Sequence, residues 1–306
     1  MPLSPNLRGA LFMIVAMVGF TLNDAITKFS SESMNMAQVM LVRGAFASVF
    51  VGLLAWRRGA LANPAAMLQP MVATRVAAEA GATVSFLIAL AHLPIANVSA
   101  VLQALPLAVT MGAALFFGEG VGWRRWLAIA VGFAGVMIIV RPGFDGFSVY
   151  SLVALASVAC CAVRDLATKR IPEAIPTMLV STATALAMTV LGALLLSPMG
   201  GWTPMSGRAT ALLALAAVLV LIGYQFIIMA MRSGDISFIA PFRYTALLWS
   251  ILLGLVIFGD VPDLPMIVGA VIIIGSGLYA LYRERIVGRR QPAAESAGPD
   301  MAPDGI

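Results

Sequence analysis

Asn23-Asp24-Ala25-Ile26-Thr27-Lys28 stands near the end of the first apolar segment of this chain, and Arg164-Asp165-Leu166-Ala167-Thr168-Lys169 near the end of the sixth. Asp24 and Asp165 are 141 positions apart, and so are Lys28 and Lys169. The same offset carries Phe117-Gly118-Glu119 onto Phe258-Gly259-Asp260. In a chain this poor in charge, two distant matches at one offset indicate an internal duplication with halves of about 140 residues.

Composition sets the class. Of 306 residues, 61% are hydrophobic and 11% are charged, and the mean hydropathy is +0.97. A soluble domain carries about a quarter charged residues. The chain therefore reads as an all-α polytopic membrane protein. Apolar runs long enough to cross about 30 Å of hydrocarbon fall near 9–28, 37–56, 71–91, 95–117 and 124–140. In the second half they fall near 149–168, 176–196, 209–231, 237–258 and 264–282. Ten transmembrane helices in two five-helix repeats follow, with the first repeat over 1–143, the second over 144–284 and a disordered cytoplasmic tail over 285–306. Arg8 leads directly into a long apolar run without a cleavage site, so no cleaved leader is expected.

The loops orient the spans. With a cytoplasmic amino terminus, thirteen Lys and Arg residues fall on the cytoplasmic side and three (Lys28, Arg141 and Arg208) on the other. That bias predicts both termini in the cytoplasm. Because five is odd, the second repeat is then inverted, which puts Asp24 near the outer end of the first helix and Asp165 near the inner end of the sixth. Such a pair of inverted repeats supplies two similar gates facing opposite ways. Trp56, Trp123, Trp126 and Trp202 fall near helix ends, where indoles favour the headgroup layer, whereas Trp249 falls mid-span. Gly132 and Gly135 in the fifth helix, and Gly269, Gly275 and Gly277 in the tenth, offer close-packing surfaces. These least polar helices are expected at the scaffold edge, or at a homodimer contact.

Several chemistries find no support. Basic residues sit in short loops rather than on one face, so nucleic acid is not an expected partner. Adjacent Cys160 and Cys161 lie inside an apolar run and read as packing residues, with no metal site. No GxxxxGK[ST] loop is present, the loops leave no room for an enzymatic domain, and no cofactor is expected. His92, beside Pro94, reads as a loop residue. The partners expected are a small solute and membrane lipid.

Charges in hydrocarbon are costly and face protein or a wet cavity. Asp24 and Arg43, in the outer third of helices 1 and 2, read either as a closing ion pair or as a fixed one. The inner counterpart comprises Arg164, Asp165 and Arg243, with Glu79 within reach, while Arg75 and Glu79 are spaced for a local pair. Helices 4 and 9 each carry a proline, Pro106 and Pro241, at loosely equivalent positions. Gln103 gives the fourth a polar side, and Tyr224, Phe226, Phe238, Tyr244 and Trp249 make helices 8 and 9 aromatic. An aromatic and amide-lined midplane cavity would suit a small amphipathic solute. Asp24, Glu79 and Asp165 are the candidate proton carriers; proton coupling and facilitated passage both stay open.

With Asp24-Ala-Ile-Thr-Lys28, Phe117-Gly118-Glu119 and Phe258-Gly259-Asp260 on five plus five helices, residues 8 to 282 resemble the EamA-type branch of the drug/metabolite transporter superfamily. The resemblance implies a bacterial inner-membrane carrier, often an exporter of amino acids and related metabolites. It implies a central cavity lined by helices 1, 3, 4, 6, 8 and 9, with 5 and 10 outside it. By the same carry-over Gln103, Arg164, Tyr224, Phe242, Arg243 and Trp249 are the cavity candidates; the residues themselves add Tyr244 to that set and give Asp24, Arg43, Glu79 and Asp165 as those for gating or coupling. The function expected is alternating-access export of neutral or aromatic amino acids. The rivals are a carrier of S-adenosylmethionine or a nucleoside-like metabolite, and a membrane interaction protein that transports nothing.

Overall fold

The computed structural model describes residues 4–118, 120–143, 147–172, 174–233 and 236–287. Glu119 of the repeated motif and the tail from 288 onward lie outside the described residues. Ten helices are long and apolar enough to cross a membrane. They are α1 (Pro5–Ser31), α2 (Met36–Arg57), α3 (Pro70–His92), α4 (Ile95–Phe117), α5 (Trp123–Val140), α6 (Val149–Thr168), α7 (Thr177–Leu196), α8 (Gly207–Ser233), α9 (Ala240–Phe258) and α10 (Leu264–Val287). The first turns are closed by residues that the local sequence supplies. Ser4, Asn35 and Ser148 each accept a backbone N–H at the start of α1, α2 and α6, and Gln69 Oε1 accepts two, from Met71 and Val72. Thr21, Thr110, Thr182, Thr184 and Thr189 donate to the carbonyl four residues earlier, so these five hydroxyls are satisfied by their own helix. In hydrocarbon every polar group left open costs several kcal/mol, on the order of a lost hydrogen bond.

Helix pairing carries the duplication into three dimensions. The most extensive contacts are α1 with α8, α3 with α6, α2 with α7, and α5 with α10, and α4 also meets α9. Advancing every helix by five exchanges the first two pairs and returns each of the others to itself. Side chains obey the same operation. Ser48 and Thr189 share a hydrogen bond of 3.0 Å and are separated by 141 positions, so each meets its own equivalent. Gly132 lies against Ser276, and Gly135 against Ile273; the offset converts one contact into the other. Gly118 (φ 66°) and Gly259 (φ 69°) cap α4 and α9 in the same left-handed conformation. These contacts are those of a pseudo-two-fold relation between two inverted five-helix units.

Gly135 of α5 and Gly269 of α10 face each other within one chain. A Cβ on Gly135 would meet the Gly269 carbonyl oxygen at 2.9 Å, and one on Gly269 would meet the Gly135 carbonyl oxygen at 2.6 Å. Small residues let the two backbones touch, which is how helices gain contact where lipid offers no hydrophobic drive. Gly135→Ala is therefore expected to destabilise the protein by about 1–3 kcal/mol, read as a lower unfolding midpoint in detergent. Gly275→Ala, with nothing within 4 Å of the added carbon, is expected to leave it unchanged. Around the bundle Val256, Leu194, Val271 and Leu248 are more than half exposed, a lipid-facing surface rather than a watery one. Trp56, Trp123 and Trp202, placed at span ends from sequence, are also more than half exposed, at 69%, 70% and 55%.

Candidate functional site

Two polar clusters sit at opposite ends of the bundle, because α1 and α6 run in opposite directions and each carries its motif in its last third. In the α1 cluster the expected direct Asp24–Arg43 ion pair is not formed. Arg43 Nη1 donates to Asn23 Oδ1 at 3.1 Å, and Asn23 Nδ2 donates to Asp24 Oδ1 at 3.0 Å. A carboxamide both accepts and donates, so buried Asn23 relays between a cation on α2 and a carboxylate on α1. Its equivalent at the 141 offset is Arg164, and there the charge is built in.

Arg164 is 1% exposed and bridges two carboxylates. Its Nη1 lies 3.0 Å from Glu79 Oε2 on α3, and its Nη2 and Nε lie 2.6 Å and 2.7 Å from Asp165 Oδ1. Beside it Arg75 donates to Thr168 Oγ1 at 3.0 Å and to Thr184 Oγ1 at 2.6 Å, tying α3 to α6 and α7. The sequence spacing had suggested Glu79 as the local partner of Arg75; the carboxylate of Glu79 serves Arg164. The second oxygen of Asp165, Oδ2, is buried with no hydrogen-bond partner among the described residues.

Between the clusters, α4 and α9 are both interrupted. In α4 the regular helix stops at Leu102 and restarts at Leu105, with Gln103 and Ala104 in the turn. In α9 a 3₁₀ segment over Ala240–Tyr244 precedes regular helix from Thr245. Pro106 and Pro241 do not coincide at the 141 offset, yet the breaks overlap, since Gln103 corresponds to Tyr244, the last residue of the 3₁₀ segment. A missing N–H and the clash of a proline ring loosen the helix on the turn before it, leaving freedom in where the break settles.

The breaks hold two unengaged polar side chains. Arg243 is half-buried and lies in the fields of Asp165 and Arg164, yet it makes no hydrogen bond or ion pair among the described residues. The Gln103 amide, also half-buried, makes none either. Tyr224, Phe242 and Trp249 form one wall against α1. Tyr224 meets Phe20 edge-on at 4.9 Å, and Phe242 and Trp249 pack on Met13, Met17 and Ile239. Trp249 Nε1 has no partner among the described residues. Tyr244, a sequence candidate for the same wall, turns elsewhere. Its ring is buried and its hydroxyl occupies the space a Cβ of Gly277 would need, 1.9 Å away. The 3₁₀ segment changes the angular step per residue, so neighbours Arg243 and Tyr244 point to the interior and to α10. Of the eleven sequence candidates, Glu79, Arg164 and Asp165 are brought together. Asp24 and Arg43 are linked through Asn23, a neutral amide whose role the sequence alone does not mark.

At one end of the α5–α10 pair, Arg141, which caps α5, forms an ion pair with Asp263 before α10. Desolvation pushes the Asp263 carboxyl up, but the hydrogen bond from Arg141, the Met266 N–H and the guanidinium charge together hold it below the usual range.

Ten membrane helices with pseudo-symmetric breaks and interior charges define a solute carrier. The EamA-like transporter family profile matches the chain twice, over residues 7–141 and 149–282. The chain belongs to the EamA-like transporter family, within the drug/metabolite transporter superfamily. It is a non-enzymatic, multi-pass inner-membrane transporter of small molecules. Among its relatives are a riboflavin transporter of Rhizobium johnstonii, 28% identical over 93% of this chain and 94% of its own, and a pseudopaline exporter of Pseudomonas aeruginosa, 26% identical over 87% and 93%. An S-adenosylmethionine uptake transporter of Rickettsia prowazekii is 26% identical over 92% and 95%. A protein of known crystal structure superposes with a TM-score of 0.63 at 20% identity, over 92% of this chain and 99% of its own, a likeness of fold.

Proposed function

We propose that this protein carries neutral or aromatic amino acids, or closely related metabolites, outward across the inner membrane by alternating access, with both termini cytoplasmic. The observation that carries the reading is Arg243. An interior guanidinium with no carboxylate in contact is a costly feature unless a ligand supplies one, and its planar fork matches a carboxylate in two parallel hydrogen bonds. Gln103 at the facing break offers a neutral donor and acceptor, and Tyr224, Phe242 and Trp249 an apolar wall for a side chain. Asp24, Arg43, Glu79 and Asp165 flank this region at its two ends, where gating or coupling groups belong. The excess of basic residues in one set of loops supports the orientation.

A second reading has its own support. The relatives named for riboflavin and S-adenosylmethionine carry solutes with extended aromatic rings, and the same aromatic wall would stack such a ring. Flux in sealed proteoliposomes decides between them. With amino acids, nucleosides and S-adenosylmethionine offered in turn, with and without a pH gradient, selective amino-acid movement supports the first reading. Movement of the adenosyl compound alone replaces it with the second. A response to the gradient assigns proton coupling.

A further inference from the structure

The residues that first revealed the duplication clasp each other across it. Lys28 ends α1 in the first repeat, and its Nζ stands 5.4 Å from the ring centroid of Phe258, which ends α9 in the second. Lys169 follows α6 in the second repeat, and its Nζ stands 5.5 Å from the ring of Phe117, which ends α4 in the first. The 141 offset converts one contact into the other. Both rings are followed by a left-handed glycine, Gly118 or Gly259, which stops the helix and leaves the ring at its rim. Lys28 Nζ also donates to two carbonyls at the end of α3, Leu90 O at 3.0 Å and that of the capping residue Leu93 at 2.5 Å. Phe117 carries a second cation, Arg170, at 4.1 Å, where the equivalent residue in the first repeat is Phe29.

We propose that Lys28 and Lys169 are the gate residues of the transport cycle, each closing one end of the bundle by holding the phenylalanine that terminates the other repeat's fourth helix. One clasp opens only while the other holds. Rocking one inverted repeat against the other must break contacts between repeats at one end and keep them at the opposite end. The two clasps are contacts of that kind, equivalent by symmetry and placed at opposite ends. They are also cheap to break. A cation over a half-buried ring rehydrates when released, whereas the Glu79–Arg164 pair, deep between α3 and α6, is expensive to separate. The gates thus lie at the rims, which leaves coupling, of the two roles offered above, to the Asp24 and Asp165 clusters. The carbonyls captured by Lys28 add α3 to its clasp, so its release frees three helix ends together.

Accessibility labelling tests this without any solute, so the outcome is independent of which compound is carried. Gln103→Cys, in a background with Cys160 and Cys161 replaced by alanine, is labelled with a membrane-impermeant maleimide in sealed vesicles of each orientation. Lys28→Ala should raise labelling from the Lys28 side about fivefold or more, the scale of a lost cation–π contact, and lower it from the Lys169 side. Lys169→Ala should do the reverse, and Lys28→Arg should restore the parent pattern. Phe258→Leu and Phe117→Leu remove the same clasps from the ring side and should reproduce the two patterns if a lysine variant fails to reach the membrane. Labelling that rises from the same side in Lys28→Ala and Lys169→Ala, or that stays unchanged in folded variants, would overturn the proposal. A purely structural clasp would lower the unfolding midpoint without any such opposition.

Discussion

Replacement of Arg243 by alanine is expected to weaken apparent solute affinity about 10- to 100-fold, the scale of a charge-assisted bidentate contact, with little loss of fold stability. The two halves of that expectation have one cause. Arg243 makes no hydrogen bond or ion pair among the described residues, so removing it leaves no buried partner behind. A guanidinium that held Asp165 in place would behave in the opposite way, because truncation would strand the carboxylate. Arg243→Lys separates charge from shape. The ammonium keeps the attraction but has no planar fork, and it should recover only part of the affinity. Flux titrations across a carboxylate series read both effects. If Arg243→Lys carries solutes with parent affinity, the bidentate clamp is wrong.

Arg164 should respond in the reverse sense. Arg164→Met is expected to lower stability by about 3–5 kcal/mol, measured by reversible unfolding in detergent, because it strands two carboxylates in the interior. Glu79 and Asp165 approach the same guanidinium at 3.0 Å and 2.6 Å, and the arginine is 1% exposed. Both carboxylates are nearly closed to solvent, with side chains 8% and 5% exposed. Glu79→Gln in the Arg164→Met background should recover part of the loss by removing one stranded charge. At the equivalent place in the first repeat the cost should be smaller, since Asn23 is neutral and Arg43 reaches it from the flank of the bundle. A loss below about 1 kcal/mol for Arg164→Met would mean that the pair is solvated, as surface pairs are, contrary to its burial.

How much of the fold and of the site is legible in the sequence follows from what each feature depends on. The spans rest on length and apolarity, and Pro5–Ser31 through Leu264–Val287 appear at nearly the expected places. The 141 offset survived intact, down to matching left-handed glycines and the Ser48–Thr189 contact. Features set by helix rotation were not legible. Whether Tyr244 or Arg243 faces the interior depends on a 3₁₀ turn of a few residues, and periodicity cannot resolve that. Relay residues were not legible either, since Asn23 looks like any small polar neighbour until Arg43 is seen to reach it. The lysine–phenylalanine clasps sit between. Both members were quoted as repeated motifs, but their crossing from one repeat to the other belongs to the tertiary fold. Likewise the glycines of α5 and α10 announced close packing; Gly132, Gly135 and Gly269 find it in the other helix of the same chain, Gly277 finds it in Tyr244 of α9, and Gly275 meets nothing within 4 Å.

The most direct test compares phenylalanine with its carboxamide in sealed proteoliposomes, since the two differ at the group Arg243 would hold. Movement of the acid with no movement of the amide, and loss of that preference in Arg243→Ala, is the expected result. Equal movement of acid and amide, or movement of neither while S-adenosylmethionine or a nucleoside crosses, would contradict the amino-acid reading and leave the ten-helix carrier with another solute.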